Sequence, residues 1–271
     1  MSLQTPLDGL LIAVTTYNQQ RFTKACFDSL QKISANVICI DDCSTDNTPD
    51  LCRRYKVPLI QKKQAAGLTD SWNLAYRYFI EHNYSYLIIS NNDVLFPSGS
   101  VEKVLELLET CPYVGFLTRI NEGGHWAKTF AVETYHTLDS GFVDDPENYQ
   151  NVQDQIAKTP LPPLSMEKIY GFCFGVSRHI SQYEFAPGHL FNPKNRNINQ
   201  EQDLAERVPE KLLCRNAFIY HYKGVSMGPS ETTFSLFSLR EFPIYARSPD
   251  WLKKVIATTL NTIKSFIKKF F

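Results

Sequence analysis

The sequence predicts an α/β fold built on a doubly wound, mostly parallel β-sheet. Over the first 120 residues, short runs of strand-forming residues alternate with segments whose apolar residues recur at helical spacing. The runs are continuously apolar, which is typical of strands buried on both faces of a parallel sheet. A chain of 271 residues with 43% hydrophobic content can bury the core that such a domain needs.

Five strands and four helices are predicted in this alternating region. Thr48 is a candidate N-cap of the second helix, with Pro49 in its first turn. Because helices join successive strands, right-handed crossovers are expected to align the strands in parallel. The strands are predicted at 9–16, 36–42, 57–61, 86–96 and 113–119. The helices are predicted over 22–33, from about 49, over 68–80 and over 101–108.

The pattern changes after residue 120. Residues 121–168 are polar and broken, and they predict a long excursion or lid. A strand at 170–178, a short helix at 197–208 and a strand at 217–222 are predicted to follow. We therefore expect one domain over residues 1–225 and a C-terminal tail at 226–271.

The tail is predicted to form an amphipathic helix. Its apolar residues recur at helical spacing, and residues 251–271 contain five lysines and no acid. One interpretation is a basic helix that lies on an anionic membrane surface. The other is a helix that docks on its own domain or on a second subunit, as in a dimer. The sequence leaves both interpretations open.

Charge and cysteine content narrow the class of protein. The 28 basic and 28 acidic residues balance, so the total charge does not point to nucleic acid as a partner. The seven cysteines are odd in number and lack metal-ligand spacing, which favours a reducing compartment. No signal peptide and no membrane-spanning run are evident. We expect a cytoplasmic protein that at most contacts the inner face of the cell membrane.

Polar residues follow three of the predicted strands at the point where each strand ends. In open parallel sheets, ligands bind beyond the carboxyl ends of the strands. The three clusters are therefore expected to converge on one crevice. They are Thr15-Thr16-Tyr17-Asn18, Asp41-Asp42 and Asn91-Asn92-Asp93.

Four ordered motifs resemble those of a known enzyme family. "VTTYNQQRFTKACFDSL", "VICIDDCSTDNTPDL", "AAGLTDSWNLAYRY" and "YLIISNNDVLFPSGSVEKVLEL" follow one another as in GT-A-fold, family 2 inverting nucleotide-diphospho-sugar glycosyltransferases. The resemblance covers residues 9–120 and recurs in "GFCFGVSR", "EQDLAER" and "HYKGVS". It implies a Rossmann-like GT-A catalytic domain, with a nucleotide-sugar-binding half at 9–120 and an acceptor half at 169–225.

The first two motifs imply a pocket for a pyrimidine base. Thr15, Thr16 and Tyr17 would line the pocket, because a hydroxyl and a flat aromatic ring bind and stack on such a base. By the resemblance, Asp42 would accept the N–H of the pyrimidine ring. Asp46 fits a turn or helix-start acid better than a ligand.

The third motif would lie beside the nucleotide. Gly67 and Asn73 match the family's glycine and asparagine, and both are expected to contact the nucleotide sugar. Trp72 stands where many relatives have arginine, but it also fits the apolar stripe of the helix, so we expect it to pack. Lys62 and Lys63 are then candidates to approach the phosphates.

The fourth motif would bind a divalent ion, Mn²⁺ or Mg²⁺. Asp93 matches the last acid of the family's D-x-D motif, whose ion offsets the charge of the departing diphosphate. Asn91 takes the first-acid position, and with Asn92 it would contact the nucleotide sugar. His221 could bind the metal or a phosphate, and Lys223 could contact the diphosphate. The alternatives are an Asx turn at the strand end and a structural histidine.

The segment "NINQEQDLAERV" resembles the one that carries the catalytic base. Its register places Gln200 at the family's glutamate, Glu201 at its catalytic aspartate and Asp203 at its second aspartate. Residues two apart on a helix point in different directions, so one of them would face the sugar. We expect Glu201 to be the base, with Asp203 in reserve. The alternative is that Asn199 and Gln202 form a helix cap at this point.

Together the motifs imply a metal-assisted inverting transfer of a sugar from a UDP- or dTDP-sugar. The acceptor would be a hydroxyl of a saccharide or a lipid-linked sugar, and Gly171 and Phe172 would form the acceptor-side turn. Relatives with the Asn-Asn-Asp variant suggest dTDP-rhamnose among the donors, and bacterial surface polysaccharide assembly as the setting. A non-catalytic sugar-nucleotide-binding protein is the alternative. A nucleotidylyltransferase is disfavoured, because "TTYNQQRFTK" has no glycine.

Overall fold

The computed structural model describes Leu7 and residues 9–118, 138–196 and 199–222. Lys223, the predicted tail at 226–271 and the first part of the predicted excursion lie outside these residues. The interpretations that depend on them remain predictions. No helix in the described ranges has the length and apolar character needed to cross a bilayer.

The described residues form a mixed β-sheet of nine strands in the order β3-β2-β1-β4-β8-β6-β9-β5, with β7 paired to β9. Strands β1 to β4 are parallel, β6 and β9 are parallel, and β8 runs antiparallel between β4 and β6. The predicted doubly wound, mostly parallel sheet is therefore confirmed. The strands are β1 Leu10–Thr16, β2 Asn36–Asp41, β3 Leu59–Gln61, β4 Tyr86–Asn91, β5 Val94–Leu95, β6 Tyr113–Thr118, β7 Leu164–Ser165, β8 Cys173–Ser177 and β9 Leu212–His221.

Helices cover both faces of the sheet. Helices α1, α2 and α4 pack on one face, whereas α3, α6 and α7 pack on the other, and each face has its own apolar core. The central strand β1 serves both, because Leu11 and Ala13 face one core while Ile12 and Val14 face the other. The helices are α1 Gln20–Leu30, α2 Thr48–Tyr55, α3 Leu68–Glu81, α4 Ser100–Leu108, α5 Ser140–Val143, α6 Tyr149–Lys158 and α7 Gln200–Arg207.

The predicted fourth strand is two strands separated by a turn. β4 ends at Asn91, and β5 begins at Val94 after a two-residue turn. β5 pairs antiparallel with β9, with Val94 opposite His221. The turn at Asn92 and Asp93 thus changes the direction of the chain, and the apolar residues that follow it belong to a second strand.

Two further segments differ from the prediction. β9 starts at Leu212 rather than 217, with an irregularity in its pairing to β6. Within the predicted excursion, residues 138–168 contain α5, α6 and β7. Val152 and Ile156 of α6 are fully buried against the core. Their i, i+4 spacing is a helical signal, but the surrounding polar residues obscure it.

The start of α2 is organised by a side chain that precedes it. The helix begins at Thr48 and its N-cap residue is Asn47, so the predicted cap at Thr48 was wrong by one position. The Asp46 carboxylate accepts the Thr48 N–H at 2.9 Å and the Gln20 N–H at 2.9 Å. Asp46 therefore links the starts of two helices, in agreement with its predicted structural role.

Candidate active site

The carboxyl ends of β1, β2 and β4 meet at one edge of the sheet. Thr16 lies opposite Asp41 in the register of β1 and β2, and Thr15 lies opposite Asn91 in that of β1 and β4. The Thr15 hydroxyl donates to the Ser90 carbonyl at 3.2 Å, and the Thr16 hydroxyl donates to Asp41 Oδ1 at 2.9 Å. The three polar clusters therefore converge as the sequence predicts, but both threonine hydroxyls are engaged within the protein.

Tyr17 differs from the two threonines because its ring is available at the mouth of the crevice. It is 48% exposed. The chain then turns through Asn18 and Gln19, both with positive φ, into α1. The Asn18 side-chain oxygen accepts the Thr45 N–H at 2.8 Å and so fixes this turn to the loop after β2. An exposed ring on a fixed turn can stack on a planar ligand.

The two aspartates after β2 are both buried and both hold the backbone in place. Asp41 accepts hydrogen bonds from the Thr16 hydroxyl, the Ser44 hydroxyl and the Ser44 N–H. The Asp42 carboxylate accepts the Ala66 N–H at 2.8 Å and the Gly67 N–H at 2.9 Å. Asp42 therefore fixes the loop that leads into α3.

Lys62 is the counter-ion of Asp42. Its Nζ lies 2.6 Å from Asp42 Oδ1 and 2.9 Å from Asp70 Oδ2, and it donates to the Gly67 carbonyl at 3.2 Å. The Lys62 side chain is only 9% exposed. The expectation that Lys62 approaches the phosphates is therefore corrected: the lysine is held by three acceptors beside the predicted base pocket. Lys63 is exposed.

The residues predicted to contact the nucleotide sugar at and before α3 make structural contacts within the protein. Gly67 precedes the helix with φ of 95°, a conformation that glycine adopts without strain. Asn73 is buried, and its amide donates to the Phe191 carbonyl and accepts the Phe191 N–H, both at 2.9 Å. Because both ends of its amide are engaged, Asn73 positions the Phe191 segment. Trp72 is fully buried, as its place in the apolar stripe predicts.

The last residue of β4 and the two residues after it are used in three ways. The Asn91 N–H donates to the Phe172 carbonyl at 2.8 Å. Asn92 is buried, and its side-chain amide donates to the Asn18 carbonyl at 3.1 Å and to the Thr23 hydroxyl at 2.9 Å. Asn92 therefore ties the turn to α1. Asp93 is the acid of the three.

Asp93 is a buried carboxylate that the protein does not satisfy. It is 1% exposed, and neither of its oxygens accepts a hydrogen bond from the residues that the structure describes. His221 Nε2 lies 3.3 Å from Asp93 Oδ2. The Asp93 carbonyl accepts the Tyr222 N–H at 2.9 Å, so β9 holds both the acid and the histidine in place.

These two side chains fit a divalent ion. A buried carboxylate without hydrogen bonds is costly unless a cation completes it, and an imidazole is a common second ligand. Within the described ranges, three or more such ligands do not cluster, so a bound ion would need further oxygens from its substrate. Burial, and then the charge of Asp93, raise the pKa of the nearby Cys26 thiol, which therefore stays neutral and adds no second negative charge beside Asp93.

Glu201 lies at the start of α7, across the crevice. Its Oε1 accepts the Gly171 N–H at 3.2 Å, and the side chain is only partly buried. A Cβ on Gly171 would lie 2.1 Å from Trp72 Cη2 and 2.7 Å from Glu201 Oε1. The close approach that requires glycine here is therefore made by Trp72 and Glu201. The role of Gly171 and Phe172 as the acceptor-side turn stays a prediction.

Asp203 is held by an arginine. Its Oδ2 lies 2.6 Å from an Arg207 nitrogen, and Arg207 also donates to the Tyr183 and Leu190 carbonyls. This arrangement fastens α7 to the preceding loop and favours Glu201 over Asp203 as the reactive acid. Asn199 is the N-cap residue of α7, as the alternative predicts, but its side chain makes no capping hydrogen bond and Gln202 bonds Glu206.

Two tyrosines beside Glu201 were not identified from the sequence. Burial, and then the charge of Glu201, raise the pKa of both Tyr113 and Tyr170. Tyr113 is fully buried, whereas Tyr170 is half-buried and lies under the Lys168 ammonium, 5.1 Å from the ring centre. Tyr170 adjoins the motif at Gly171, which is the signal that could have identified it. Nothing in the sequence pattern marks Tyr113.

Comparisons with known proteins bear on the family and the fold. The family model described as "Glycosyl transferase family 2" matches residues 11–180. No curated protein sequence matches the chain. Solved structures show the fold: GalNAc-T7 with UDP, GalNAc and Mn²⁺ superposes with a TM-score of 0.57 at 11% identity, covering 78% of this chain and 43% of that one.

A second similar structure is S. aureus TarS. Its fragment 1–349 superposes with a TM-score of 0.54 at 13% identity, covering 88% of this chain and 72% of that one. The longer TarS chain gives 0.54 at 12% identity, with 78% and 36% covered. This chain therefore spans less than half the length of GalNAc-T7 and of the longer TarS. The family match and the shared fold identify it as a member of glycosyltransferase family 2 with the GT-A fold.

Proposed function

We propose that this chain transfers a sugar, with inversion, from a nucleoside-diphosphate donor to an acceptor hydroxyl. The observation that carries the proposal is Asp93, a buried carboxylate that accepts no hydrogen bond from the described residues and faces His221 at 3.3 Å. An unsatisfied buried acid at the ligand-binding edge of the sheet is a functional-site candidate, because burying the charge costs free energy that a bound cation would offset.

The donor is proposed to be a UDP- or dTDP-sugar, with dTDP-rhamnose among the candidates. Tyr17 offers an exposed ring for stacking on the base. Asp42 Oδ1 is engaged by the Ala66 N–H and Lys62, whereas Oδ2 accepts only the Gly67 N–H and could accept a second donor such as a pyrimidine N–H. UDP is the nucleotide bound in structures of both GalNAc-T7 and TarS 1–349, which supports a uridine donor.

Asp93 and His221 would hold a divalent ion, Mn²⁺ or Mg²⁺. When bound, the ion offsets the charge that the departing diphosphate gains as the glycosidic bond breaks. Mn²⁺ accompanies UDP in the GalNAc-T7 structure. Because the chain offers few ligands, the donor's own phosphates would complete the coordination.

Glu201 is proposed to be the general base. It removes the proton of the acceptor hydroxyl as that oxygen attacks the anomeric carbon from the face opposite the diphosphate. The Gly171 N–H orients its carboxylate at 3.2 Å. The pair of Asp203 with Arg207 supports Glu201 for this role and leaves Asp203 as the reserve. The half-buried Tyr170 beside Glu201 offers a flat face for a saccharide or lipid-linked acceptor.

The donor site is tested by thermal unfolding with UDP, dTDP and ADP, each with and without Mn²⁺. We expect UDP or dTDP to raise the unfolding temperature of the wild-type protein, and Mn²⁺ to increase that shift. Asp93→Asn should keep a metal-independent shift and lose the increase. The proposal fails if no nucleotide gives a metal-dependent shift in the wild-type protein.

Catalysis is tested with Glu201→Gln. We expect this variant to bind the donor normally and to lose about 10²- to 10⁴-fold in kcat. Glu206→Gln, an exposed acid on the same helix, is the matched control and should retain activity. If wild type and Glu201→Gln both bind donor and neither turns it over, the chain is a sugar-nucleotide-binding protein.

The cellular setting is a further proposal that rests on the family. We place the enzyme in the cytoplasm, at the inner face of the membrane during bacterial surface polysaccharide assembly. The basic residues 251–271 would provide peripheral membrane contact or a dimer contact. Binding to vesicles with and without anionic lipid, compared between the full chain and a variant with the five lysines neutralised, separates these two roles.

A further inference from the structure

The turn formed by Gly171 and Phe172 contacts both sides of the candidate site. On one side, the Gly171 N–H donates to Glu201 Oε1 at 3.2 Å. On the other side, the Phe172 ring stacks on the His221 imidazole, with centroids 4.6 Å apart and planes 14° apart. Two adjacent residues thus contact the proposed base and one of the proposed metal ligands.

A third contact ties the same turn to the strand that carries the metal motif. The Phe172 carbonyl accepts the Asn91 N–H at 2.8 Å, two residues before Asp93. β8 begins directly after the turn and pairs with β4. The turn is therefore fixed to the sheet, and from this fixed position it contacts Glu201 on one side and His221 on the other.

The position of Gly171 is set by the buried core beneath it. A Cβ at this position would lie 2.1 Å from Trp72 Cη2. Trp72 is fully buried, with Phe174 and Phe191 rings at centroid distances of 5.4 and 5.1 Å. Because close-packed aromatic rings have no space to move into, any side chain at position 171 must displace the turn itself.

The orientation of His221 depends on the neighbouring ring. His221 is near the end of β9, where β5 pairs with it, and its Nε2 faces Asp93 Oδ2 at 3.3 Å. The nearly parallel Phe172 ring restricts rotation of the imidazole about its side-chain bonds. Groups that orient a metal-ligating histidine typically change metal affinity by 10- to 100-fold, an order of magnitude taken from other proteins.

We propose that the Gly171–Phe172 turn is a positioning element that sets the separation between the base and the metal ligands. The inference rests on the proposed function. An inverting displacement requires the acceptor oxygen and the leaving diphosphate on opposite sides of one carbon. A misplacement of about 1 Å can cost about a hundredfold in rate. Glu201 and His221 lie on different elements, α7 and β9, and this turn contacts both.

The metal side is tested with Phe172→Leu, which removes the stacked ring and keeps an apolar side chain. Electron paramagnetic resonance of Mn²⁺ in the presence of UDP measures ion binding independently of turnover. We expect the Mn²⁺ affinity to fall by about tenfold or more in Phe172→Leu. Phe172→Tyr keeps the stacked ring and should retain the wild-type affinity, whereas a merely space-filling role would leave Phe172→Leu near wild type as well.

The base side is tested with Gly171→Ala. We expect kcat to fall by about tenfold or more, because the displaced turn no longer orients Glu201. The KM for the acceptor should change less than kcat. Adding Trp72→Phe removes the ring atom that collides with the new Cβ, so the double variant should recover part of the lost kcat. Circular dichroism and thermal unfolding establish that each variant is folded.

The results separate the positioning role from the function on which it rests. Wild-type Mn²⁺ affinity in Phe172→Leu overturns the positioning role while the proposed function stands. Wild-type kcat in Gly171→Ala also overturns it. If Gly171→Ala does not fold, the comparison of Phe172→Leu with Phe172→Tyr decides alone. A wild-type protein that binds no UDP with Mn²⁺ overturns the proposed function and the positioning role with it.

Discussion

Asp42 and Asp93 are both buried acids at the carboxyl edge of the sheet, yet their surroundings are opposite. Asp42 accepts two backbone N–H groups, at 2.8 and 2.9 Å, and has Lys62 at 2.6 Å. Asp93 accepts no hydrogen bond from the described part of the chain and has His221 at 3.3 Å. Asp42 is hydrogen-bonded into the loop before α3, whereas Asp93 makes no side-chain hydrogen bond to the described residues and has only the histidine nearby.

The two acids therefore differ in whether the described residues supply their partners, and we propose that a cation supplies the partner of Asp93. For a satisfied carboxylate, its hydrogen bonds and its counter-ion offset the free energy lost on burial. An unsatisfied one lowers the stability of the free protein, and such sites are typically retained for function. The two acids should therefore respond to the same substitution with opposite signs of stability.

The largest expected effect is that of Asp93→Asn. Loss of the ion's charge stabilisation should lower the transfer rate by about a hundredfold or more. The free energy of unfolding of the ligand-free protein should rise by about 1 kcal/mol, because a neutral amide replaces an unsatisfied buried charge. Transfer assays and urea denaturation measure the two quantities. A fall in stability would contradict the assignment of Asp93 as an unsatisfied acid.

Asp42→Asn should have the opposite effect on stability. The amide can accept at one oxygen only, so the Ala66 or Gly67 N–H loses its partner and Lys62 loses a charged neighbour. We expect the free energy of unfolding to fall by about 2–3 kcal/mol. Urea denaturation measures it, with Asp70→Asn as the matched control, because Asp70 is a second, half-exposed partner of Lys62. Equal losses of unfolding free energy in Asp42→Asn and Asp70→Asn would show that Asp42 stabilises the protein no more than Asp70 does.

Lys62→Met removes the counter-ion of Asp42 and leaves the acid itself unchanged. Asp42 would keep its two backbone donors and lose the ammonium at 2.6 Å. We expect a smaller loss of stability, about 1–2 kcal/mol, because the pair retains some solvent contact. The same denaturation series tests the order of the two variants. If Lys62→Met were more destabilising than Asp42→Asn, the lysine rather than the acid would organise the loop.

Asp203→Asn should have the smallest effect. Asp203 pairs with Arg207 at 2.6 Å, and both side chains are partly exposed. The loss of stability should stay below about 1 kcal/mol. Its kcat should remain near that of the wild-type protein, in contrast to Glu201→Gln. A loss of kcat as large as that of Glu201→Gln would make Asp203 the base.

Local patterns in the sequence predicted most of the fold. The continuous apolar run of β1 and the helical spacing of Trp72 and Tyr76 in α3 arise from the geometry of each element, which depends on near neighbours. α6 was missed because only Val152 and Ile156 mark its buried face. The turn after β4 was missed because apolar residues flank it on both sides.

The candidate site could be predicted in part. The convergence of Thr16, Asp42 and Asp93 follows from topology, because the ends of parallel strands share one edge. Their roles could not be predicted, since identical side chains differ only in what surrounds them. Lys62, predicted as a phosphate contact, is the counter-ion of Asp42, and Asn73 fixes the Phe191 segment.

By itself the sequence determined the doubly wound sheet, the crevice at its carboxyl edge and the family motifs, all of which follow from local periodicity and order along the chain. Only the tertiary structure decided which acids are satisfied, that Trp72 underlies Gly171, and that Phe172 stacks on His221. The physical reason is that hydrogen-bond partners and ring contacts come from segments far apart in sequence. Packing brings these segments together, and no local pattern encodes the pairing.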